Sequence, residues 1–286
     1  MSIDYVTKFS PHVDEQFSAE SKLSLLTNKD YTFTGAHEIR IYKISTGKMN
    51  DYDRTGEDSL AGTGGADATR LSRYGEIERL DATTKPYSLE KDRSFTFAID
   101  KLDEDETAAA LTAAKALARQ NREVVIPEVD QYVYSKMAEG AGTKASGELT
   151  AENIYDEITN ASEAMDEALV PASERVLVVT PGVYKMLKKN PDIGLSTTIA
   201  NELKVKGVVA DLDGCLVVKV PSVCLPANFG FMMAHPSATV APVTLDEFHI
   251  HRDPPFISGS LVEGRIAYGA AVLDNKKKGI YLHTIA

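Results

Sequence analysis

Two histidines, His249 and His251, are separated by one residue in a segment with the composition of a β-strand. Side chains at positions i and i+2 of a strand lie on the same face, so the two imidazoles could share a metal ion, with Asp253 close behind. A zinc site needs a further protein ligand and neighbouring groups that orient the imidazoles, and no nearby histidine or cysteine supplies them. A strand that ends at the Pro254-Pro255 turn explains the pattern more simply.

Three further motifs resemble functional sites but lack parts that the chemistry requires. Asp211-Leu212-Asp213-Gly214 begins like a calcium loop, but Ser222 stands where the closing glutamate belongs, which favours a β-turn. Gly62-Thr63-Gly64-Gly65 lacks the Gly-Lys-Ser/Thr ending of a phosphate loop. No serine lies in a Gly-x-Ser-x-Gly turn, and the apolar neighbours of Cys224 predict an inert thiol. We therefore predict no enzymatic activity, no catalytic residue, no bound metal and no cofactor.

The composition excludes several classes of protein. The chain has 286 residues, of which 43% are hydrophobic and 26% charged, as in soluble globular proteins. No apolar run is long enough to cross a membrane, and Cys215 and Cys224 predict buried thiols, not a disulfide framework. A net charge of −11 argues against a protein that binds nucleic acid by neutralising its phosphates.

A long polar segment lies between two strands that the alternation of apolar residues predicts at 38–44 and 94–99. Residues 45–85 are rich in Gly, Asp, Arg and Thr and contain almost no pattern that could form a core. A long two-stranded arm of this kind is marginal in isolation and needs a partner surface. We expect that partner to be another copy of the same chain.

The charged residues of this arm are its candidate contacts. Basic and acidic residues alternate along it, and each exposed ion pair contributes only about 0–1 kcal/mol, so many copies would be needed for such contacts to sum. The predicted inter-subunit contacts are Arg54, Arg70, Arg73, Arg79, Asp53 and Glu76.

The rest of the chain predicts a long helix, a compact α/β unit and a β-rich tail. The helix is expected from Asp103, with Asp103 to Glu106 at its positive end, to Met137, and Pro127 should kink or split it. A second helix over 150–168 carries Ile154, Ile158, Ala161 and Met165 on one face. Further elements are predicted at 175–179, 183–189, 207–210, 216–220, 238–250, 260–274 and 279–285.

Several segments, in this order, resemble a known family. They are Tyr42-Lys43-Ile44-Ser45-Thr46, Met49-Asn50-Asp51-Tyr52-Asp53-Arg54, Asp92-Arg93-Ser94-Phe95-Thr96-Phe97-Ala98-Ile99-Asp100, Val125-Ile126-Pro127-Glu128-Val129-Asp130 and Gly264-Arg265-Ile266-Ala267-Tyr268-Gly269-Ala270-Ala271-Val272-Leu273-Asp274. The set is similar to the major capsid proteins of tailed bacteriophages with the Hong Kong ninety-seven-type capsid fold, in the group of Gram-positive phages and prophages.

The resemblance implies an α+β fold in four parts. They are an N-terminal arm at 1–36, an extended β-hairpin loop at 37–92, a peripheral domain with a long spine helix at 93–138 and 240–275, and an inserted α/β axial domain at 139–239 and 276–286.

It also implies a structural role. Such proteins assemble into hexamers and pentamers of an icosahedral shell that encloses double-stranded phage DNA. The implied partners are further copies, a scaffolding protein, a portal, a possible decoration protein and, without sequence specificity, the packaged DNA; no membrane is involved. The protein would reside in the virion capsid, and in the host cytoplasm before assembly. Alternatives are an encapsulin-like nanocompartment shell and a cytoplasmic metal-dependent hydrolase built around His249, His251 and Asp253.

Overall fold

The computed structural model describes residues 21–28, 30, 38–52, 54, 73–74, 78–106, 112–190 and 209–285. The chain divides into two compact units, one formed by residues 36–88 and the other by residues 1–35 together with 89–286.

The described residues form strands and helices in the order that follows. The strands are β1 Glu38–Ile44, β2 Ala82–Ser88, β3 Lys91–Asp100, β4 Thr143–Gly147, β5 Val176–Val179, β6 Val209–Leu212, β7 Cys215–Lys219, β8 Phe229–Ala234, β9 Thr239–Val240, β10 Val243–Arg252, β11 Gly259–Tyr268, β12 Ala271–Val272 and β13 Ile280–Ile285. The helices are α1 Lys101–Glu106, α2 Ala113–Gln120, α3 Ile126–Gly140, α4 Ile154–Glu167 and α5 Pro181–Lys189, with a π-helical turn at Asn121–Val125.

In the unit at 36–88, β1 and β2 form an antiparallel hairpin. Glu38 lies opposite Ser88, and Ile44 lies opposite Ala82. The prediction of β1 is confirmed, and the strand on the far side of the polar segment, at 94–99, is not its partner. Its partner β2 contains threonines and a proline and almost only exposed side chains, so it carries no apolar alternation that a sequence pattern could reveal.

The strand at 94–99 belongs instead to a three-stranded antiparallel sheet of order β10-β11-β3. One face of this sheet packs Phe95, Phe97, Ile99 and Val262 against α2. The opposite face is polar and exposed, which is the usual division for an antiparallel sheet covered on one side.

A six-stranded mixed sheet has the order β4-β13-β8-β5-β7-β6. One face packs on α3 and the other on α4 and α5, so the sheet separates two hydrophobic cores. Every residue of β5 and β8 is buried because these strands are covered on both faces. β8 has no polar alternation for that reason, and the sequence analysis did not predict it.

The long helical region begins two residues earlier than predicted. α1 starts at Lys101, and the carboxylate of Asp100 accepts a hydrogen bond from the backbone N–H of Leu102 at 2.8 Å. Asp103, which was predicted to lie at the helix start, therefore lies inside the helix. Asp100 is the last residue of β3 and directly precedes the helix, and aspartate is a preferred N-cap residue. Asp100, not Asp103, therefore occupies the N-cap position.

The predicted interruption at Pro127 takes the form of a π-helical turn. The backbone N–H of Ile126 donates to the carbonyl of Asn121, five residues earlier, and Pro127 then stands in the first turn of α3. Proline has no N–H to donate to the carbonyl four residues earlier. The wider π-helical turn before it accommodates this missing hydrogen bond. The helix is therefore split in its bonding pattern.

The helices of the α/β unit follow the sequence closely. Ile154, Ile158, Ala161 and Met165 of α4 are all buried, as predicted. Thr150 and Asn153 bond reciprocally before the helix: the N–H of Thr150 donates to Asn153 Oδ1 at 2.7 Å, and the N–H of Asn153 donates to Thr150 Oγ1 at 3.3 Å. The hydroxyl of Thr180 accepts from the N–H of Val183 and caps α5.

Neither cysteine forms a disulfide bond: Cys215 is buried and Cys224 is half-buried. Burial raises the pKa of the Cys224 thiol, and the nearby Asp130 carboxylate adds to the effect. No helix among the described residues has both the length and the apolar composition that crossing a bilayer requires.

Candidate assembly surfaces

The hairpin exposes apolar side chains that ordinary folding would bury. Tyr42 and Ile44 lie on one face of β1 and are 71% and 61% exposed. The register places Thr84 and Ala82 opposite them, so the same face is uncharged across both strands there. The two strands pair only with each other among the described residues, and no described residue of the unit covers this face. It is a surface suited to contact with a partner.

Ordered contacts continue beyond the paired strands. The N–H of Ser45 donates to the carbonyl of Asp81 at 3.0 Å, and the N–H of Asp81 donates to Ser45 Oγ at 2.9 Å. Further on, the rings of Tyr52 and Tyr74 meet edge to face with their centroids 5.0 Å apart. Met49, between these contacts, is 98% exposed. The hairpin unit thus presents further apolar groups outside its strands.

Three of the predicted contact residues lie in the described part of the chain. Arg54, Arg73 and Arg79 are exposed, and none of them forms an ion pair within that part. Asp53, Arg70 and Glu76 lie outside the described residues. The exposed guanidinium groups are available to a partner, and their role in contacts between subunits stays a prediction.

The two candidate metal-binding histidines lie on the polar face of the three-stranded sheet. The Nε2 atom of His251 is 3.3 Å from a carboxylate oxygen of Glu263, and that of His249 is 3.9 Å from Glu247. The carboxylate of Asp253 accepts the N–H of Gly259 at 3.2 Å in the turn after β10. Across the described residues, no three histidine, cysteine or acidic side chains are arranged to hold a metal ion.

The calcium-like motif forms a tight turn between two strands, as the sequence favoured. Leu212 of β6 pairs with Cys215 of β7, and Asp213 and Gly214 between them have φ values of 51° and 73°. Two consecutive left-handed residues define the type I′ turn of short hairpins, in which aspartate and glycine are the preferred pair. The motif therefore forms the turn that connects β6 to β7.

The N-terminal segment packs against the long helix, a contact that the sequence did not predict. Leu23 and Leu26 are buried against Val133, Tyr134 and Met137 of α3. The hydroxyl of Ser21 donates to the carboxylate of Asp130 at 2.7 Å, while burial raises the pKa of that carboxyl. The segment lines an apolar groove of about 440 Å³ beside the π-helical turn. The segment contributes only two leucines to this contact, which is too few for a helical period to be recognised in the sequence.

Comparisons with known proteins give similarity in structure but not in sequence. No family model and no curated protein matches the chain. A solved structure from Mycobacterium phage Che8 superposes with a TM-score of 0.77 and 18% identity, over 98% of this chain and 96% of the other. The capsid structure of Cyanophage P-SCSP1u gives a TM-score of 0.76 and 13% identity, over 99% of this chain and 93% of the other.

A virus-like particle from Pyrococcus furiosus also matches, with a TM-score of 0.53 and 12% identity over 92% of each chain. Identities this low demonstrate a shared fold and nothing finer. The arrangement of strands and helices, compared over nearly the whole chain, nevertheless agrees with the predicted fold class. The protein has the α+β fold of bacteriophage major capsid proteins.

Proposed function

We propose that this protein is the major capsid protein of a tailed bacteriophage or prophage, in the group that infects Gram-positive bacteria. It assembles into hexamers and pentamers of an icosahedral shell around double-stranded DNA. The observation that carries the proposal is the match to a cyanophage capsid structure over 99% of this chain, with a TM-score of 0.76. A fold match is an argument by analogy, so independent support must come from the surfaces.

The exposed hairpin provides that support. A two-stranded hairpin is marginally stable alone, and this one exposes apolar groups on a face that its own unit leaves bare. Burying such groups against a neighbour is favourable at roughly 25 cal/mol per Å² of apolar surface. Because the contact is repeated around a shell, a small gain in free energy per subunit is sufficient to favour assembly.

In this proposal the chain has a structural role and performs no catalysis. The four parts are the arm at 1–36, the extended loop at 37–92, the peripheral domain at 93–138 and 240–275, and the axial domain at 139–239 and 276–286. A separate scaffolding protein directs assembly, a portal occupies one vertex, and a decoration protein is a further candidate partner. The protein is in the host cytoplasm before assembly and in the virion afterwards.

The test is direct observation of assembly. The purified protein, alone and with a scaffolding protein from the same genome, would be imaged by negative-stain electron microscopy while light scattering measures particle mass. Rings or closed particles are expected. A uniform monomer or dimer under all conditions would contradict the proposal.

A nanocompartment shell is the second candidate, because the Pyrococcus furiosus virus-like particle shares the fold. Its TM-score of 0.53 lies below the 0.77 of the phage structure, so the phage assignment is preferred. The two differ in content: particles purified from the native host would contain DNA in one case and a cargo enzyme in the other.

A further inference from the structure

The two helices on one face of the six-stranded sheet carry opposite charge. α4 buries Ile154, Ile158, Ala161 and Met165 against the sheet. Its exposed side carries acidic residues near both ends with the neutral Thr159 and Asn160 between them, and no basic residue lies in its last turn. The acidic residues of this surface, called here the acidic face, are Glu152, Asp156, Glu163, Asp166 and Glu167.

Stabilisation of α4 does not explain why this face carries so many acidic residues. Acidic residues in the first turn stabilise a helix through its dipole, which accounts for Asp156. At the C-terminal end the dipole is negative, so Glu163 and Glu167 are unfavourable there, and they also repel each other at i and i+4. Asp166 has a structural partner in the buried Arg175, whereas Glu163 and Glu167 form no ion pair within the described residues.

The neighbouring helix α5 carries the complementary charge. Val183, Tyr184 and Leu187 are buried, and the exposed side is lined with lysine. Lys188 and Lys219 stand over the ring of Tyr184 with Nζ 4.8 and 5.6 Å from its centroid, which fixes these two cations against the surface. The residues of this surface, called here the basic face, are Lys185, Lys188, Lys189 and Lys219.

The two faces are adjacent but do not neutralise each other. The side-chain amide of Asn190, which follows α5, donates to the backbone carbonyl of Ala151 at 2.9 Å, just before α4. The ends of the helices are therefore tied together. Yet no ion pair joins the acidic face to the basic face among the residues that the structure describes. Each subunit thus presents both halves of a complementary pair and, apart from Asp166 with its partner Arg175, neither half forms an ion pair with a described residue.

We infer that the acidic face of one subunit docks on the basic face of the next copy in a ring. The inference rests on the proposed function and names the contact that builds its capsomers. Two different surfaces of one chain that complement each other make a head-to-tail contact, and such contacts form a ring when the rotation from one copy to the next closes. A second copy is the partner that the charges favour, because it alone satisfies both faces at once. A polyanion would satisfy the basic face and be repelled by the acidic one.

Charge reversal on one face at a time tests the contact. The first variant is Glu152→Lys with Glu163→Lys and Glu167→Lys, which leaves three lysines against two aspartates on the former acidic face. Glu152 precedes the helix and Glu167 opposes its dipole, so the change should not weaken α4. The second is Lys185→Glu with Lys188→Glu and Lys189→Glu, which leaves three glutamates against Lys219 on the former basic face. Because each variant sets like charges against each other, the yield of rings or shells should fall about tenfold or more at low salt. The matched control, Lys276→Glu with Lys278→Glu, reverses two exposed lysines elsewhere in the same unit and should assemble normally.

Mixing the two variants gives the decisive result. The first variant has two basic faces and the second has two acidic faces, so an equimolar mixture can form complementary contacts only by strict alternation. Alternation closes a ring of six but not a ring of five. Negative-stain images should therefore show six-membered rings from the mixture, few rings from either variant alone, and no five-membered rings.

Normal assembly of either variant alone would overturn the inference, as would a mixture that recovers no rings although circular dichroism shows both variants folded. In both cases, wild-type protein assembled in parallel distinguishes failure of the inference from failure of the proposed function. If wild type assembles and the inference fails, the proposed function stands. If wild type never assembles, the proposed function fails first.

Discussion

Single residues in the six-stranded sheet make the fold sensitive to acid. His283 of β13 is buried, and its ring stacks on Phe231 at 5.1 Å. Burial lowers the pKa of His283 below its ordinary 6.5, while Glu157 opposes the shift. Its Nδ1 atom has no hydrogen-bond partner within the described residues, so a proton added there would be buried without an acceptor.

The stability of this unit should therefore fall as the solution becomes acidic. The folded state binds a proton on His283 more weakly than the unfolded state, so the histidine contributes no penalty above pH 6.5. As the pH falls from 6.5 through the lowered pKa of the folded state, the unfolded state gains protons first and stability is lost. The free energy of unfolding, measured with urea at pH 7.5 and 5.5, should depend less on pH in His283→Gln than in the wild type. Equal dependence in both proteins would contradict this role.

Gly142 marks a close contact between two backbones. Its N–H donates to the carbonyl of Lys277 at 2.9 Å, and an added Cβ would stand 2.5 Å from the carbonyl carbon of that residue. Backbone cannot move aside as a flexible side chain can, so Gly142→Ala should cost about 1–3 kcal/mol of unfolding free energy by overpacking.

Gly182, in the first turn of α5, provides the matched control. The nearest atom to an added Cβ is 3.9 Å away, so Gly182→Ala introduces a better helix former without a clash. Thermal denaturation should show a lower Tm for Gly142→Ala and an unchanged or higher Tm for Gly182→Ala. A similar loss in both would mean that the close approach at Gly142 is not the cause.

Among the elements, the hairpin has a role that its own contacts do not explain. Arg54 and Arg79 are exposed and form no ion pair within the described part of the chain. Reversal of either one to glutamate should leave a folded monomer with wild-type circular dichroism but block closed shells, since like charges would meet in the contacts between copies. Electron microscopy of assembly reactions checks the outcome. Normal particles from both variants would remove these arginines from the interface.

How well an element could be predicted depended on how many of its faces are buried. α4 buries one face, so its apolar residues recur at a period of 3.6 and were identified. β1 was identified from its apolar alternation, although none of its described side chains is buried. β8 is buried on both faces and β2 is nearly bare on both, so neither has a period. The helix start was misplaced because Asp100 and Asp103 are equivalent by type, and only the end of β3 determines which one caps α1.

The candidate surfaces were predictable only where one segment carries them. The charged hairpin could be recognised because its residues are contiguous in sequence. The acidic and basic faces become a pair only after the sheet places α4 beside α5, and that adjacency depends on strand order, which no local pattern encodes.

For the whole molecule, the division into two units predicts that folding and assembly can be separated. Replacement of residues 45–81 by Asn-Gly joins β1 to β2 through the turn that two-residue hairpins prefer. The larger unit keeps its cores, so urea unfolding should give wild-type stability within about 0.5 kcal/mol, as for surface changes away from buried features. Light scattering should show no shells. Loss of stability in the shortened protein would show that the replaced segment supports the fold.

The bare face of the hairpin also has a genetic consequence. Tyr42 and Ile44 contribute to no core of their own unit, so a substitution there leaves a subunit that folds normally and escapes the proteases that remove unfolded chains. Such a subunit would enter growing shells beside wild-type copies and disrupt the hairpin contact at each position that it occupies. We expect hairpin mutations to be dominant in a cell that expresses both alleles, whereas mutations in the buried cores, which eliminate the subunit before it can join, should be recessive.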